Sequence, residues 1–350
     1  MIVKFLNHFR LTGRLLKDAR VSIWLKVAMI LLPAVYAAIP MAIEIPDFVP
    51  VVGLVDDLVL LGMSTVIFNI VSPSAVAQEH KLALQGLSGE SATNLEVYRH
   101  PDELRNLGIG LLVSVGVLLA TGMAAGLIWL LLFGIGYIFT GLGRAQFLAN
   151  AIECTPTQMP DLHKSLIAAQ KGLSPVKVNL FVTQNPVLNA YTFGYREPYT
   201  IVLTSALVEK LTPEEIQAVI GHELGHIHFN HVVLINLMGM SVTGIERLIF
   251  YLWSRSCEYS ADAIALQASG NDPKPMISAL LKLASGLQNV SVDLDAFLAQ
   301  VQEGNEKKVS EKAEMLSTHP FIHNRIRRLI GISSGHINAD RTQLQPEPSL

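Results

Sequence analysis

The residues that invite chemistry are His222-Glu223-Leu224-Gly225-His226, two imidazoles four positions apart with a carboxylate directly after the first. On a helix this spacing sets both imidazoles on one face, where they can hold one Zn²⁺ between them. Glu223 then stands close enough to take a proton from a water that the ion has acidified toward a pKa of ~7, which is the chemistry of metal-assisted amide hydrolysis. Two protein ligands are too few for a catalytic zinc site, which usually has three and an open position. The best third candidate is Glu258 in Cys257-Glu258-Tyr259-Ser260-Ala261-Asp262, with Asp262 one turn further on the same face and spaced to orient a ligating histidine. Taken alone, that segment has a plainer reading, a helix start carrying acids for dipole reasons.

The element that must carry the motif announces itself. Thr212-Pro213-Glu214-Glu215 reads as a capping box with proline at the first helical position, so a helix is expected from near Thr212 through His226. Ile216, Ile220, Leu224 and Ile227 make one apolar stripe, with His222 and His226 beside it. His228 and His231 fall on other faces of the same helix and read as surface residues or as supports behind the ligands. Ala261, Ala263, Ala265 and Leu266 suit a second helix pressed closely against another. Strand-like pieces at Val176–Val182, Val187–Phe193 and Tyr199–Leu203, divided by Asn185-Pro186 and Glu197-Pro198, predict a small sheet. An edge strand there can hold an extended peptide by β-augmentation, with Asn189 to Gly194 bordering the cleft. Cys154 and Cys257 form no disulfide framework, and Cys257 reads as a small buried residue rather than a ligand.

From Ala145 to Ile330 the chain resembles the HtpX-like and CAAX-prenyl-protease-like membrane zinc metalloproteases, a branch of the gluzincins. Four motifs carry the resemblance in order: Asn189-Ala190-Tyr191-Thr192-Phe193-Gly194, His222 to His226, Glu258 to Asp262, and Thr318-His319-Pro320 followed by Arg325. The resemblance implies one Zn²⁺ per chain held by His222, His226 and Glu258, with Glu223 as general base and Asp262 orienting a ligand. It further implies that His319 donates to the transition state, that Arg325 is a structural anchor and that Asn189 helps bind the substrate backbone. A donor near the metal makes chemical sense, because the tetrahedral intermediate carries an oxyanion. Two departures bear on the shape of the last loop: Phe321 stands where a second proline is frequent, and Asn324 where an acid is frequent.

The rest of the chain is apolar beyond the needs of a water-soluble domain, with 50% hydrophobic and 16% charged residues over 350 positions. Val21–Ile43 is long enough to span a bilayer of ~30 Å, and the basic segment before it puts the N-terminus in the cytoplasm by the positive-inside rule. Val51–Val71 is a second run, with Asp56 and Asp57 near its start. Ile45 to Asp57 resembles the signature of the small YkvA-like module, for which Asp47, Asp56 and Asp57 offer either a second metal site or helix caps and turns. Leu107–Phe139 is the longest run and fits either one tilted span or a short hairpin. Val232–Trp253, interrupted by Glu246-Arg247, reads as an amphipathic helix lying on the membrane or packed on the domain. Nucleic-acid binding has no support, since the net charge is −3 and no basic patch is interleaved with aromatics.

The sequence thus predicts an α+β fold, a mostly helical zincin-like domain with a small sheet preceded by transmembrane helices. Its expected divisions are a basic cytoplasmic N-terminus (1–20), the YkvA-like membrane-associated module (21–75), a connecting loop (76–106), a transmembrane segment or hairpin (107–140), the zinc peptidase domain (145–332) and a disordered tail (333–350). A polar loop at Gln300–Lys312 is expected before His319, either a lid or a plain connector. The expected protein is a membrane-anchored zinc endopeptidase acting on unfolded or membrane polypeptides, and the family resemblance implies a role in quality control at the inner membrane with the active site on the cytoplasmic side. A catalytically silent zinc-binding scaffold is the alternative, and the oligomeric state is open.

Overall fold

The structure, a computed structural model, describes residues 2–23, 25–27, 29–30, 64–65, 68–69, 72, 74–84, 95–121, 150–194, 197–238, 244–289, 292–299, 314 and 317–335. In chain order the helices are α1 (Ile2–Lys17), α2 (Ser74–Leu84), a short 3₁₀ turn (Leu95–Tyr98) and α3 (Pro101–Thr121). Then come β1 (Ile152–Glu153), α4 (Pro160–Gln170), β2 (Val178–Thr183), β3 (Ala190–Phe193), β4 (Tyr199–Thr204) and α5 (Ser205–Lys210). The helices α6 (Pro213–His228), α7 (His231–Met238), α8 (Gly244–Ala268), α9 (Lys274–Ser285), α10 (Leu294–Ala299) and α11 (Ile322–Ser333) complete the order. The described residues are therefore mostly helical with one small mixed sheet, an α+β arrangement.

Two compact units divide the chain. One holds residues 1–96 and 111–132, and among its described residues α1 buries Leu11 and Leu15 against Val21, Phe68, Val76 and Ala77. Asp18 ties its loop together, accepting from Arg20 and from Nε2 of His80 at 2.9 Å. Most of the YkvA-like segment, including Asp47, Asp56 and Asp57, lies outside the described residues, as do 122–149, the whole of the expected lid or connector and the tail after Gly335. Among the described residues no helix is long and apolar enough to cross a membrane. The stretch 76–106, expected as a connecting loop, is helical at both ends, where α2 and the start of α3 lie.

The other unit, residues 97–110 and 133–350, carries the sheet and the motif helices. Its strand order is β1-β2-β4-β3, with β2 and β4 parallel and the outer pairings antiparallel. β3 is thus an edge strand. The expected strand from Val187 begins only at Ala190, because the side chain of Asn185 accepts the Val187 N–H at 2.9 Å and curls the chain into a turn at Pro186.

Helix α6 forms as its cap predicts. The Thr212 hydroxyl accepts from the Glu215 N–H and the Glu215 carboxylate accepts from the Thr212 N–H at 2.8 Å, a pair contributing about 1 kcal/mol. Ser278 and Lys282 of α9 donate to the same carboxylate at 2.6 and 2.8 Å, so the cap also docks a neighbouring helix. The helix stops at Phe229 and Asn230, where Asn230 takes a left-handed φ of 59°. His231 therefore begins a new helix instead of continuing α6, contrary to the single-helix expectation.

Against α6 runs α8, and glycines let the two approach. A Cβ on Gly225 would sit 2.7 Å from Cα of Ala261, and one on Gly221 2.6 Å from Cβ of Ala268. Mid-helix glycine costs roughly 1 kcal/mol relative to alanine, which the close packing offsets. The far side of this pair joins α9 and α11 through Ala218, Ala265, Leu266, Met276, Leu280, Ile326 and Leu329. α8 is continuous from Gly244, so Trp253 and Phe250 from the fourth apolar stretch pack into the domain, Trp253 wholly buried.

Candidate metal centre

Two helices bring the three predicted ligands to one point. α6 contributes His222 and His226, and α8 contributes Glu258 from mid-helix, which excludes the plainer reading of acids gathered at a helix start. Nε2 of His222 and Nε2 of His226 lie 3.1 Å apart, and each is 3.5 Å from an oxygen of Glu258. A tetrahedral zinc ion with ligands at about 2.0–2.2 Å keeps its donor atoms about 3.3–3.6 Å apart, so this triangle has the size of a zinc face. Two unprotonated imidazole nitrogens that close would repel one another without a cation, and all three side chains are buried.

The orientation of each imidazole is fixed from behind. Nδ1–H of His222 donates to Oδ1 of Asp262 at 2.9 Å, leaving the Nε2 lone pair turned into the triangle. Arg325 of α11 clamps Asp262 with two bonds, 2.6 Å to Oδ1 and 2.8 Å to Oδ2, and its Nη1 lies 3.4 Å from Glu258. Burial alone would lower His222, but Asp262 and Glu258 outweigh it and hold the ring up at about 9. Burial would raise Glu258, yet the bond to His222 and the Arg325 charge keep it well below the usual carboxylate range. His226 is pushed well below the ordinary imidazole value, chiefly by burial.

Glu223 lies beside the triangle in a cleft of about 400 Å³. Burial raises its carboxyl, and the Thr192 hydroxyl on edge strand β3 donates to its Oε2 at 2.7 Å. One rim is Asn189 to Phe193, with Asn189 exposed at the head of β3 and its backbone tied to Thr204. The opposite wall is apolar, made by Val219, Met276, Leu280 and Leu283. His319 closes the end of the cleft, its side chain 63% exposed and its Nε2 3.5 Å from Glu258. Glu314 accepts from the Phe321 N–H and the Asn324 amide, which gives the departing loop its own anchor.

All eight residues singled out from the sequence therefore meet in one cleft or directly behind it. Sequence reasoning missed four others. Thr192 was quoted only as part of a motif. His231, left between surface and support, is wholly buried with Nδ1 3.0 Å from Nδ1 of His226. Glu103 and Arg99, from the stretch expected to be a loop, are buried and paired with each other next to His231. Thr192 had its motif and His231 its closeness in sequence to His226 as signals, and Glu103 and Arg99 had none. Cys257 is buried, and burial pushes its thiol well above the ordinary value, in keeping with a packing role.

Known proteins carry related sequences. The plastoglobule-localized metallopeptidase 48 of Arabidopsis thaliana, a chloroplast protein, is 34% identical over 172 residues, 44% of this chain and 49% of that protein. A protease HtpX homolog of Helicobacter pylori is 30% identical over 190 residues, 43% of this chain and 59% of its own length. Another HtpX homolog, from Pseudarthrobacter chlorophenolicus, is 24% identical over 67% of this chain and 97% of its own. The chain spans about half of the first relative and three-fifths of the second. The sequence pattern that describes Peptidase family M48 matches residues 157–246 and 233–333, half of the chain and both helices that carry the candidate ligands, and the chain belongs to that family.

Proposed function

We propose that this protein is a membrane-anchored zinc endopeptidase in which His222, His226 and Glu258 hold the metal and Glu223 is the general base. The observation that carries the reading is the triangle of two Nε2 atoms and one carboxylate, with edges of 3.1, 3.5 and 3.5 Å, opening on a cleft that Glu223 also lines. The ion's contribution when bound is Lewis acidity, which acidifies water toward a pKa of ~7 and polarises a carbonyl. Glu223, its affinity for protons raised by burial, accepts the proton of the attacking water and passes it to the departing amide nitrogen. Asp262 and Arg325 hold His222 in its ligating tautomer, and His319, exposed at the cleft end, is in reach to donate to the oxyanion.

Substrate binding follows from the rim. β3 is the last strand of the described sheet and borders the cleft, so an extended polypeptide laid along the cleft would run beside Asn189 and could be held through its backbone, with little demand on its side chains. The wall of Val219, Met276, Leu280 and Leu283 then receives one apolar side chain next to the scissile bond. Such recognition suits unfolded or membrane polypeptides. The membrane assignment, with the N-terminus cytoplasmic, rests on the apolar runs and their basic flank. The proposed catalytic domain is 145–332, preceded by the YkvA-like module at 21–75.

The test is hydrolysis of casein peptides by detergent-purified protein stripped with chelator and titrated with Zn²⁺, wild type beside Glu223→Gln. Activity that returns with about one equivalent of zinc in wild type only supports the reading. Equal cleavage by both proteins overturns it, and zinc binding without cleavage by either returns the scaffold alternative.

A further inference from the structure

His226 turns Nε2 toward the metal triangle and Nδ1 away from it, where Nδ1 of His231 stands at 3.0 Å. Away from a cation, two ring nitrogens are held at this distance when one bears the hydrogen and the other a lone pair. With Nε2 of His226 kept for the metal, the hydrogen of that neutral ring sits on Nδ1, so Nδ1 of His231 accepts it. The hydrogen of His231 is then on Nε2, which lies 3.0 Å from Oε1 of Glu103, a close contact to the carboxylate that lacks the geometry of a hydrogen bond. Glu103 is in turn fixed by the Arg99 guanidinium and the Ser260 hydroxyl, and Ser260 Oγ accepts the His100 N–H at 2.8 Å. His231 is 0% exposed, edge-on to Trp253. The chain of contacts therefore runs from α3 through α7 to the ligand on α6.

We propose that His231, seated against Glu103, is a positioning residue that accepts the Nδ1–H of His226 and so fixes which nitrogen of that ring faces the metal. The proposal rests on the zinc reading above. Glu103, His231 and Cys257 also bring ligand atoms within 4.8 Å of one another, the dimensions of a second metal site. Arg99 already supplies the cation at Glu103, and Nδ1 of His231 is committed to His226, so the positioning role accounts for more of what surrounds these groups.

Two amides separate the possibilities. Asparagine at 231 sets its oxygen where Nδ1 was, whereas glutamine sets it where Nε2 was, out of reach of His226. Zinc affinity of the full chain in detergent is measured by competition with a fluorescent chelator, alongside metal content per chain and melting of the metal-free protein. Wild type that binds no zinc overturns the underlying zinc reading before any variant is compared. With wild type binding one zinc, His231→Gln is expected to lose about 10–100-fold in affinity while His231→Asn stays close to wild type, the size of effect typical of partners behind a ligating histidine. Equal affinities in the two variants overturn the proposal, as do two zinc ions per wild-type chain with one lost in Cys257→Ala. Should His231→Gln fail to fold, Glu103→Gln takes its place, and an unchanged zinc affinity there also overturns it.

Discussion

The two histidines of α6 proposed as ligands are one turn apart, yet they are backed in opposite ways. Behind His222 stands an anion in direct contact, Asp262, itself clamped by Arg325. Behind His226 stands a second imidazole, and the anion, Glu103, comes only one residue further out. The consequence is a difference in basicity: direct carboxylates hold His222 up at about 9, while His226, with burial dominant, falls well below the ordinary value. On the zinc reading, holding a cation would require His222 to give up a proton that its carboxylates favour, whereas burial already favours the neutral form of His226. Two chemically identical side chains thus acquire unequal basicity from what lies behind them.

The most severe way to break this arrangement leaves both sides intact and removes the base. Glu223→Gln is expected to lower peptide hydrolysis by about 10²–10⁴-fold, the range for general acid–base catalysis, with zinc content unchanged. Asp262→Asn strips the charged side. Chelator competition should show zinc affinity falling by about 10–100-fold, and a value equal to wild type would mean that the carboxylate does not support the ligand. Gly225→Ala pushes α8 away from α6 under both ligands, because its Cβ meets Ala261 at 2.7 Å. Overpacking of this kind costs roughly 1–3 kcal/mol, to be read from melting of the metal-free protein.

A gentler test uses pH on the chelated protein. His222 at about 9 lies above its ordinary 6.5, so its contribution to stability is complete below 6.5 and is lost as pH rises toward 9. Glu103 goes the other way. Burial would raise it, but the charge of Arg99 and the neighbouring His231 bring it down to about 2 from 4.5, so its contribution is complete above 4.5 and is lost as pH falls toward 2. Urea midpoints against pH should therefore decline on both flanks, Asp262→Asn flattening the basic flank and Glu103→Gln the acidic one. A profile that neither variant changes would contradict the assignment of charge to the two sides.

The same contrast marks how far the sequence could be read. Most of the charged side leaves a local trace: the capping box at Thr212 starts α6, the small residues of α8 suit a helix pressed against another, and the four-residue spacing of Glu258 and Asp262 sets both on one face, while Arg325 was reached only through the family resemblance. The side behind His226 depends on a helix that breaks at Asn230, where no glycine or proline warns of it, and on partners more than a hundred residues away. Long-range pairing of this kind has no period, so Glu103 and Arg99 look like ordinary charges in a linker. The strands were legible from their β-branched runs except at Val187, where an asparagine turn overrode them. The expected membrane runs at 21–43, 51–71 and 107–139 fall largely outside the described residues.

The most direct test of the central claim is zinc X-ray absorption on the reconstituted full-length protein, read for ligand type and distance. Two imidazole nitrogens and oxygen ligands at about 2.0–2.2 Å, with one nitrogen lost in His226→Ala and one oxygen in Glu258→Gln, are what a site built from His222, His226 and Glu258 predicts. A sulfur scatterer at about 2.3 Å would place the metal at Cys257 and contradict the account.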